Sequence, residues 1–297
     1  MEYTKMPIDI PEQISILKKR GLIIANESVA LRYFSDISYF RLASYWKTFE
    51  IDPASHELVK GTSLQDILTL YAFDRELRDV IFAAIQDIEI ALRTRIIHHF
   101  SMIHGAFWFM NDALFCDIEI FQRCLSSLQN ELARSKEDFL LVHFKKYDLP
   151  PMPPVWKTLE IASFGTLSKL YCNMADTSVK KSVAKSFGLP QYRYLESWIR
   201  SITVLRNCCA HHARIWNRRF PLMPCLPKTL PLDWIESERA LSMKLYALLS
   251  AVLYLEQSIS VNSSVKERLL ALITSLPRKR LKAMGFPEDW QEQDLWR

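Results

Sequence analysis

Arg206, Asn207 and His211 are the residues of this chain best suited to chemistry on a phosphate, and they lie in the string Leu205-Arg-Asn-Cys-Cys-Ala-His-His-Ala-Arg-Ile-Trp-Asn-Arg-Arg219. Histidine as a residue type titrates near neutrality, so it can pass a proton to or from a ribose hydroxyl or a leaving oxygen. A guanidinium stabilises a crowded anionic phosphorane. These types together suit backbone cleavage in RNA without a metal, since no carboxylate cluster accompanies them. The spacing alone is not specific: twenty arginines and seven histidines in 297 residues give about 0.5 chance instances of arginine, four residues, histidine. A second instance, Arg93-Thr-Arg-Ile-Ile-His98, stands in the same chain. It reads as a Glu89/Arg93 helical ion pair followed by surface histidines, with Arg93 and His98 as secondary candidates for the site.

An element must hold the string, and the apolar spacing predicts one helix from Tyr192 to about Arg218. On a wheel at 100° per residue with Asn207 at zero, His211 falls at about 40°, Arg214 at about −20° and Arg218 at about 20°, a single polar stripe. Arg214, Asn217 and Arg218 are the candidates for gripping the RNA backbone. Leu205, Cys208, Cys209, His212 and Trp216 fall between about 100° and 200°, the apolar face, which makes His212 a core histidine and leaves His211 as the working one. Arg206 lies about 140° from His211, so the two do not meet along one helix, and the arginine reaches the stripe by its length or across a dimer seam.

The other elements are helical too. Pro11 to Gly21 carries start and stop signals, Asn26 suits an N-cap, and Tyr33, Phe34, Tyr39, Phe40, Tyr45 and Trp46 read as core rather than a base-stacking surface. Ile81, Ile85, Ile88, Leu92 and Ile96 mark a long central helix over 63–100, with Asp74/Arg78 and Glu89/Arg93 as i,i+4 pairs. An amphipathic stretch runs from Ile118 to Phe144, and Leu149-Pro-Pro-Met-Pro-Pro154 cannot be helical. Helices are expected around a Phe164-Gly165 interruption in 155–174, over 179–187 and over 235–257, with a further amphipathic segment from Ser264. This divides the chain into an aromatic-rich helical region at 1–60, a long-helix region at 61–148, a core at 149–260 bearing the Arg206/His211 string, and a tail at 261–297, or one compact domain of them all.

Composition narrows the function classes. Only 6 glycines and a net charge of +5 favour helices and are compatible with a polyanionic partner, without a basic tail. Six scattered cysteines include no C-x-x-C, so neither a zinc site nor a disulfide framework is expected. The absence of a glycine-rich phosphate loop and of Gly-x-Ser-x-Gly argues against nucleotide hydrolysis and a serine nucleophile, and no cofactor is expected. The N-terminus lacks a basic-then-apolar leader and the longest apolar run, Leu245 to Leu255, is too short for a bilayer, which suggests a soluble, cytoplasmic chain without a membrane partner.

The wording of the string goes beyond its spacing. An arginine, a polar Asn207, small or apolar residues and then His211 resemble the signature of the HEPN superfamily of helical ribonucleases. The longer string resembles the abortive-infection (Abi) family of bacterial phage-resistance proteins. Glu12 to Ile24, Ile37 to Trp46, Leu70 to Arg93 and Ala283 to Trp290 are similar to that family in the same order. The resemblance implies an all-α, multi-helix HEPN-type bundle with an additional N-terminal helical region, a role in phage defence, and RNA as the target. It further implies a composite site in a homodimer and, as in some members of the wider group, restraint by an inhibitory protein or small RNA. Two other readings stand beside the ribonuclease. One is a non-catalytic RNA-binding protein using the same stripe, and the other is a scaffold in which the stripe pairs with Glu196 or Glu160.

Overall fold

Apolar residues at three- and four-residue steps build an all-α, multi-helix architecture, without a β-strand among the described residues. The computed structural model describes residues 2, 4, 6–236, 240, 243–259 and 264–297. In chain order the helices are α1 (Ile10–Lys19), α2 (Glu27–Asp36), α3 (Tyr39–Trp46), α4 (Leu64–His104), α5 (Ile118–Arg134), α6 (Asp138–Lys146) and α7 (Val155–Thr158). They continue with α8 (Phe164–Asn173), α9 (Thr177–Ser186), α10 (Tyr192–Ala210), α11 (Leu245–Ile259), α12 (Val265–Thr274) and α13 (Arg278–Ala283). Residues Met1–Arg78 and Asp79–Arg297 form two compact units.

In the first unit, Asp9 and Asn26 cap α1 and α2 by accepting from the backbone N–H groups of Glu12 and Val29. The unit's core holds a polar trio. Asp74, fully buried, accepts from the Tyr45 hydroxyl at 2.7 Å and from Arg78 Nη1 at 2.5 Å. Burial first, then the Asp74 carboxylate, pushes the Tyr45 phenol above its ordinary pKa, so it stays a donor. Only half of the six early aromatics expected in the core are there: Phe34, Tyr45 and Trp46 are buried, Tyr39 is half-buried, and Tyr33 and Phe40 are exposed, Phe40 at 83%.

In the second unit, Ile81, Ile85, Ile88, Leu92 and Ile96 give α4 a fully inward apolar face. Helix α5 packs on α8, and α10 packs against α8, α9 and α11, so α10 is held on several sides. Arg95 ties distant ends together: Nη1 donates to the Ser186 carbonyl at 2.9 Å and Nη2 to Ser258 at 3.3 Å, satisfying last-turn carbonyls of α9 and α11.

Some boundaries differ from the sequence expectation. The stretch 118–144 is two helices, α5 and α6, because Ser135 turns to extended backbone (ψ 138). The interruption in 155–174 falls before Phe164 rather than at Phe164-Gly165, since Ser163 is the N-cap of α8 and accepts from Thr166 N–H. The last large helix starts at Leu245, not Ile235, and residues 237–239 and 241–242 of that expectation lie outside the described ones.

Asp176 carries a testable consequence. It caps α9 and lies 2.9 Å from His104 Nε2, and its pKa is lowered to about 2, chiefly by the Ser178 hydroxyl, then by the Val179 N–H, His104 and the Ser178 N–H. The folded value is below the ordinary 3.8, so the stabilisation is complete above about pH 4 and is lost as pH falls toward 2. Asp176→Ala is expected to cost about 1 kcal/mol at pH 7. Urea unfolding at pH 7 and pH 3 should show the gap between wild type and variant narrowing at the lower pH. An equal gap at both would refute the linkage.

Candidate functional site

Helix α10 buries Leu195, Trp198, Ile199, Ile202, Leu205, Cys208 and Cys209, a face at helical spacing that fixes its rotation about its axis. With that rotation set, Asn207 is exposed and Arg206 half-buried. The Arg206 guanidinium carbon lies 5.8 Å from the centroid of the Phe82 ring of α4, an arrangement that packs the planar group on an apolar face. Among the described residues the buried Arg206 Nε has no hydrogen-bond partner.

The helix ends at Ala210, eight residues short of the expected Arg218. His211 is the C-cap, His212 follows at φ 56°, and the chain closes a Schellman turn: His212 N–H donates to Cys209 O at 3.0 Å and Ala213 N–H to Cys208 O at 2.8 Å. This overturns the stripe of Asn207, His211, Arg214 and Arg218 on one helix. His212 is also corrected, from a core histidine to an exposed residue. Asn207 and His211 remain linked, since the His211 N–H donates to the Asn207 carbonyl at 3.0 Å.

Beyond the turn, apolar side chains act as anchors. Ile215, Trp216 and Phe220 are buried, and between them Arg214, Asn217 and Arg218 are half-buried and Arg219 exposed. Arg218 folds back on its own loop: Nη1 reaches the Arg214 carbonyl at 3.5 Å and the guanidinium lies 6.0 Å from the Phe220 ring centroid. Burial pushes the Cys208 thiol up in pKa against the pull of Arg218, consistent with an inert core cysteine.

His212 stands where glycine is usual. An L-residue in the left-handed region costs about 1–2 kcal/mol, partly offset by the extra freedom glycine gives the unfolded chain. His212→Gly should therefore raise the unfolding free energy by about 0.5–1 kcal/mol. Denaturant unfolding is the check, and a destabilised variant would mean that the imidazole's own contacts outweigh the backbone relief.

The second arginine-histidine pair lies apart from this turn in its partners. Arg93 Nη2 donates to Glu89 Oε1 and to the Ala162 carbonyl, both at 3.1 Å, and Nη1 is 4.0 Å from Glu160. His98 is exposed, its ring 5.2 Å from that of His99. Glu160 and Glu196, the two acids named for the scaffold reading, face other cations: Glu160 lies 4.0 Å from Arg93 and Glu196 pairs with Lys180. Among the described residues no group of three or more His, Cys, Asp or Glu is placed to hold a metal ion, and no helix is long and apolar enough to cross a membrane.

Sequence reasoning missed two residues at this end of α10. Phe82, under the Arg206 guanidinium, resembles any other apolar residue of α4. Lys244, whose Nζ donates to Asn217 Oδ1 at 2.7 Å, is 27 residues away in the chain, and nothing local marks it.

The family described as Abi-like protein matches residues 32–217, from within α2 to the loop that follows α10. No curated protein and no solved structure matches the chain. The family match covers more than half of the sequence and takes in Arg206, Asn207, His211 and the whole Schellman turn, and by it the chain belongs to the Abi-like protein family.

Proposed function

We propose that this Abi-like protein serves abortive-infection defence against phage as a metal-independent endoribonuclease with a HEPN-type site. The observation that carries the reading is one helix end: Arg206, Asn207 and His211 occupy the last turn and cap of α10, with Asn207 and His211 exposed. In this reading His211 moves the proton, Arg206 stabilises the phosphorane and Asn207 positions the substrate. The ribose 2′-oxygen attacks phosphorus as its proton leaves, the P–O5′ bond breaks, and the 5′-oxygen takes up a proton. The products are a 2′,3′-cyclic phosphate and a 5′-hydroxyl.

The negative end of the α10 dipole is a poor place for a phosphate unless cations offset it. Arg206, Arg214, Arg218 and Arg219 supply that offset within fourteen residues of sequence. Because Arg206 and His211 leave the helix on different sides, two facing copies of the segment complete one site in a homodimer.

The test is incubation of purified protein, freed of any co-purifying protein or RNA, with end-labelled RNA in EDTA. Cyclic-phosphate and 5′-hydroxyl ends are expected. RNA that stays intact overturns the reading.

A further inference from the structure

The last short helix carries a concentrated positive charge. α13 packs four cations into five residues, Arg278, Lys279, Arg280 and Lys282. Arg278 pairs with Glu288, while Lys279, Arg280 and Lys282 make no ion pair among the described residues. At 100° per residue Arg278, Lys282 and Lys279 fall within about 100° of one another, and all three are exposed, so they form one cationic strip. Arg278 and Lys282 also rim a cleft of about 520 Å³, whose lining adds the apolar Phe286 and Trp290 and the amide of Gln291. Such a volume lies within the range of roughly 300–1,000 Å³ that takes small ligands. Glu288 is the one carboxylate in the lining among the described residues, and Arg278 holds it.

Packing fixes both the cleft and its place. α13 ends in a Schellman turn at Gly285, φ 89°, where Gly285 N–H donates to the Lys282 carbonyl at 3.0 Å and Phe286 N–H to that of Leu281 at 3.2 Å. Met284 is fully buried, and its carbonyl accepts from Tyr246 N–H at 3.0 Å in the first turn of α11. Tyr246, Phe286, Trp290 and Trp296 pack as one aromatic cluster, with neighbouring ring centroids 4.9 to 5.7 Å apart, so the apolar floor of the cleft is preformed. Two residues before Tyr246, Lys244 donates to Asn217 in the loop that follows the catalytic turn, at 2.7 Å. α13 and that loop therefore meet the same end of α11.

We infer that α13 and its cleft form a second contact for the RNA beyond the catalytic turn, in which Arg278, Lys279 and Lys282 take backbone phosphates and the cleft takes a base of a single-stranded segment. The inference rests on the ribonuclease reading for its ligand. Single strands are held by cations along the backbone and by aromatic or apolar surface against the bases, and the strip and the cleft supply one of each. Gln291 offers a donor and an acceptor to a base edge, and Glu288 an acceptor. A paired duplex keeps its bases stacked and gives the cleft nothing to hold.

Binding of a labelled single-stranded oligoribonucleotide by His211→Ala protein, measured across a salt series, tests this without turnover. Adding Lys279→Gln with Lys282→Gln should weaken binding several-fold at moderate salt and reduce the slope of log K against log salt by about 1.4, two phosphate contacts at about 0.7 each. Lys145→Gln with Lys146→Gln on α6 should leave the slope unchanged. In otherwise wild-type protein the α13 pair should raise KM for a long strand several-fold with kcat kept, and leave kcat/KM for a dinucleotide unchanged, since a dinucleotide occupies only the catalytic turn. Acetylation of the amines of the His211→Ala protein, followed by mass spectrometry, does not depend on how the α13 variant folds, and the oligoribonucleotide should protect Lys279 and Lys282. An unchanged slope in the folded α13 variant, an equal loss from the α6 variant, or acetylation of Lys279 and Lys282 at the same rate with RNA bound overturns the contact. Protection by a mononucleotide or by phosphatidylserine vesicles, but not by the oligoribonucleotide, overturns it as well. If wild type fails to cleave RNA but the α13 variant still lowers the slope, the ribonuclease reading falls and the contact stands. If wild type cleaves and the α13 variant alters neither slope nor KM, the contact falls alone.

Discussion

His211→Ala is expected to slow RNA cleavage by about 10²–10⁴-fold or more, the usual worth of a positioned general acid or base, while RNA affinity changes little. The substitution is mild for the fold. His211 is an exposed C-cap at φ −92° and ψ 12°, and its link to Asn207 is made by the backbone, which alanine keeps. Arg206→Lys is the companion variant. Lysine preserves the charge but loses the planar fork that lies over the Phe82 ring, so cleavage should fall by about 10²–10³-fold, comparable to removing one donor to a developing oxyanion. Single-turnover cleavage with matched binding curves separates the two effects. Because His212 is exposed as well, His212→Ala belongs in the same experiment. Full activity in His211→Ala together with loss in His212→Ala would transfer the proton-moving role to His212.

The second large effect concerns stability. Lys180→Met is expected to lower the unfolding free energy by about 3–5 kcal/mol, because it leaves the largely buried Glu196 carboxylate, 18% exposed, without its partner. Lys180 is 3% exposed, its ammonium donates to the carbonyls of Cys172 and Met174 at 3.2 and 3.1 Å, and it pairs with Glu196. Tyr171 and Tyr192 place their rings 5.6 and 5.1 Å away. One charge therefore joins the end of α8, the middle of α9 and the first half of α10. Replacing both members of the pair, Lys180→Met with Glu196→Leu, removes the stranded carboxylate and should recover much of the loss. Glu196 is ten residues before Arg206, roughly 15 Å along the helix, so the double variant should still cleave RNA if the knot only holds the fold. Chemical denaturation of the three proteins decides the matter, and a loss below about 1 kcal/mol in the single variant would show that the pair is not the anchor described.

Sequence alone determined the helices whose signals are local. The Asn26 cap, the run from Ile81 to Ile96 in α4, the proline break at 149–154 and the stop at Gly188 need no information beyond a few neighbouring residues. It also identified the buried side of α10, since Leu205, Cys208 and Cys209 lie inside and Trp216 follows them into the core. Helical spacing continues through Trp216 and Phe220, however, and apolar residues at those steps can be buried equally by a further helix or by a loop that dips back into the core. Neither glycine nor proline marks Ala210 as the end. Two adjacent histidines and Asn217, types that tolerate positive φ, were the faint local signs. Tertiary structure made the decision: buried Ile215, Trp216 and Phe220 secure an irregular segment whose Phe220 N–H pairs with Met243, a residue no window around the motif contains. In the same way Arg206, Asn207 and His211 were visible as a motif, whereas the stripe of cations became a turn with its arginines divided between the core edge and the surface. Lys244 joined them only because long-range packing, unlike periodicity, brings together residues that share no local pattern.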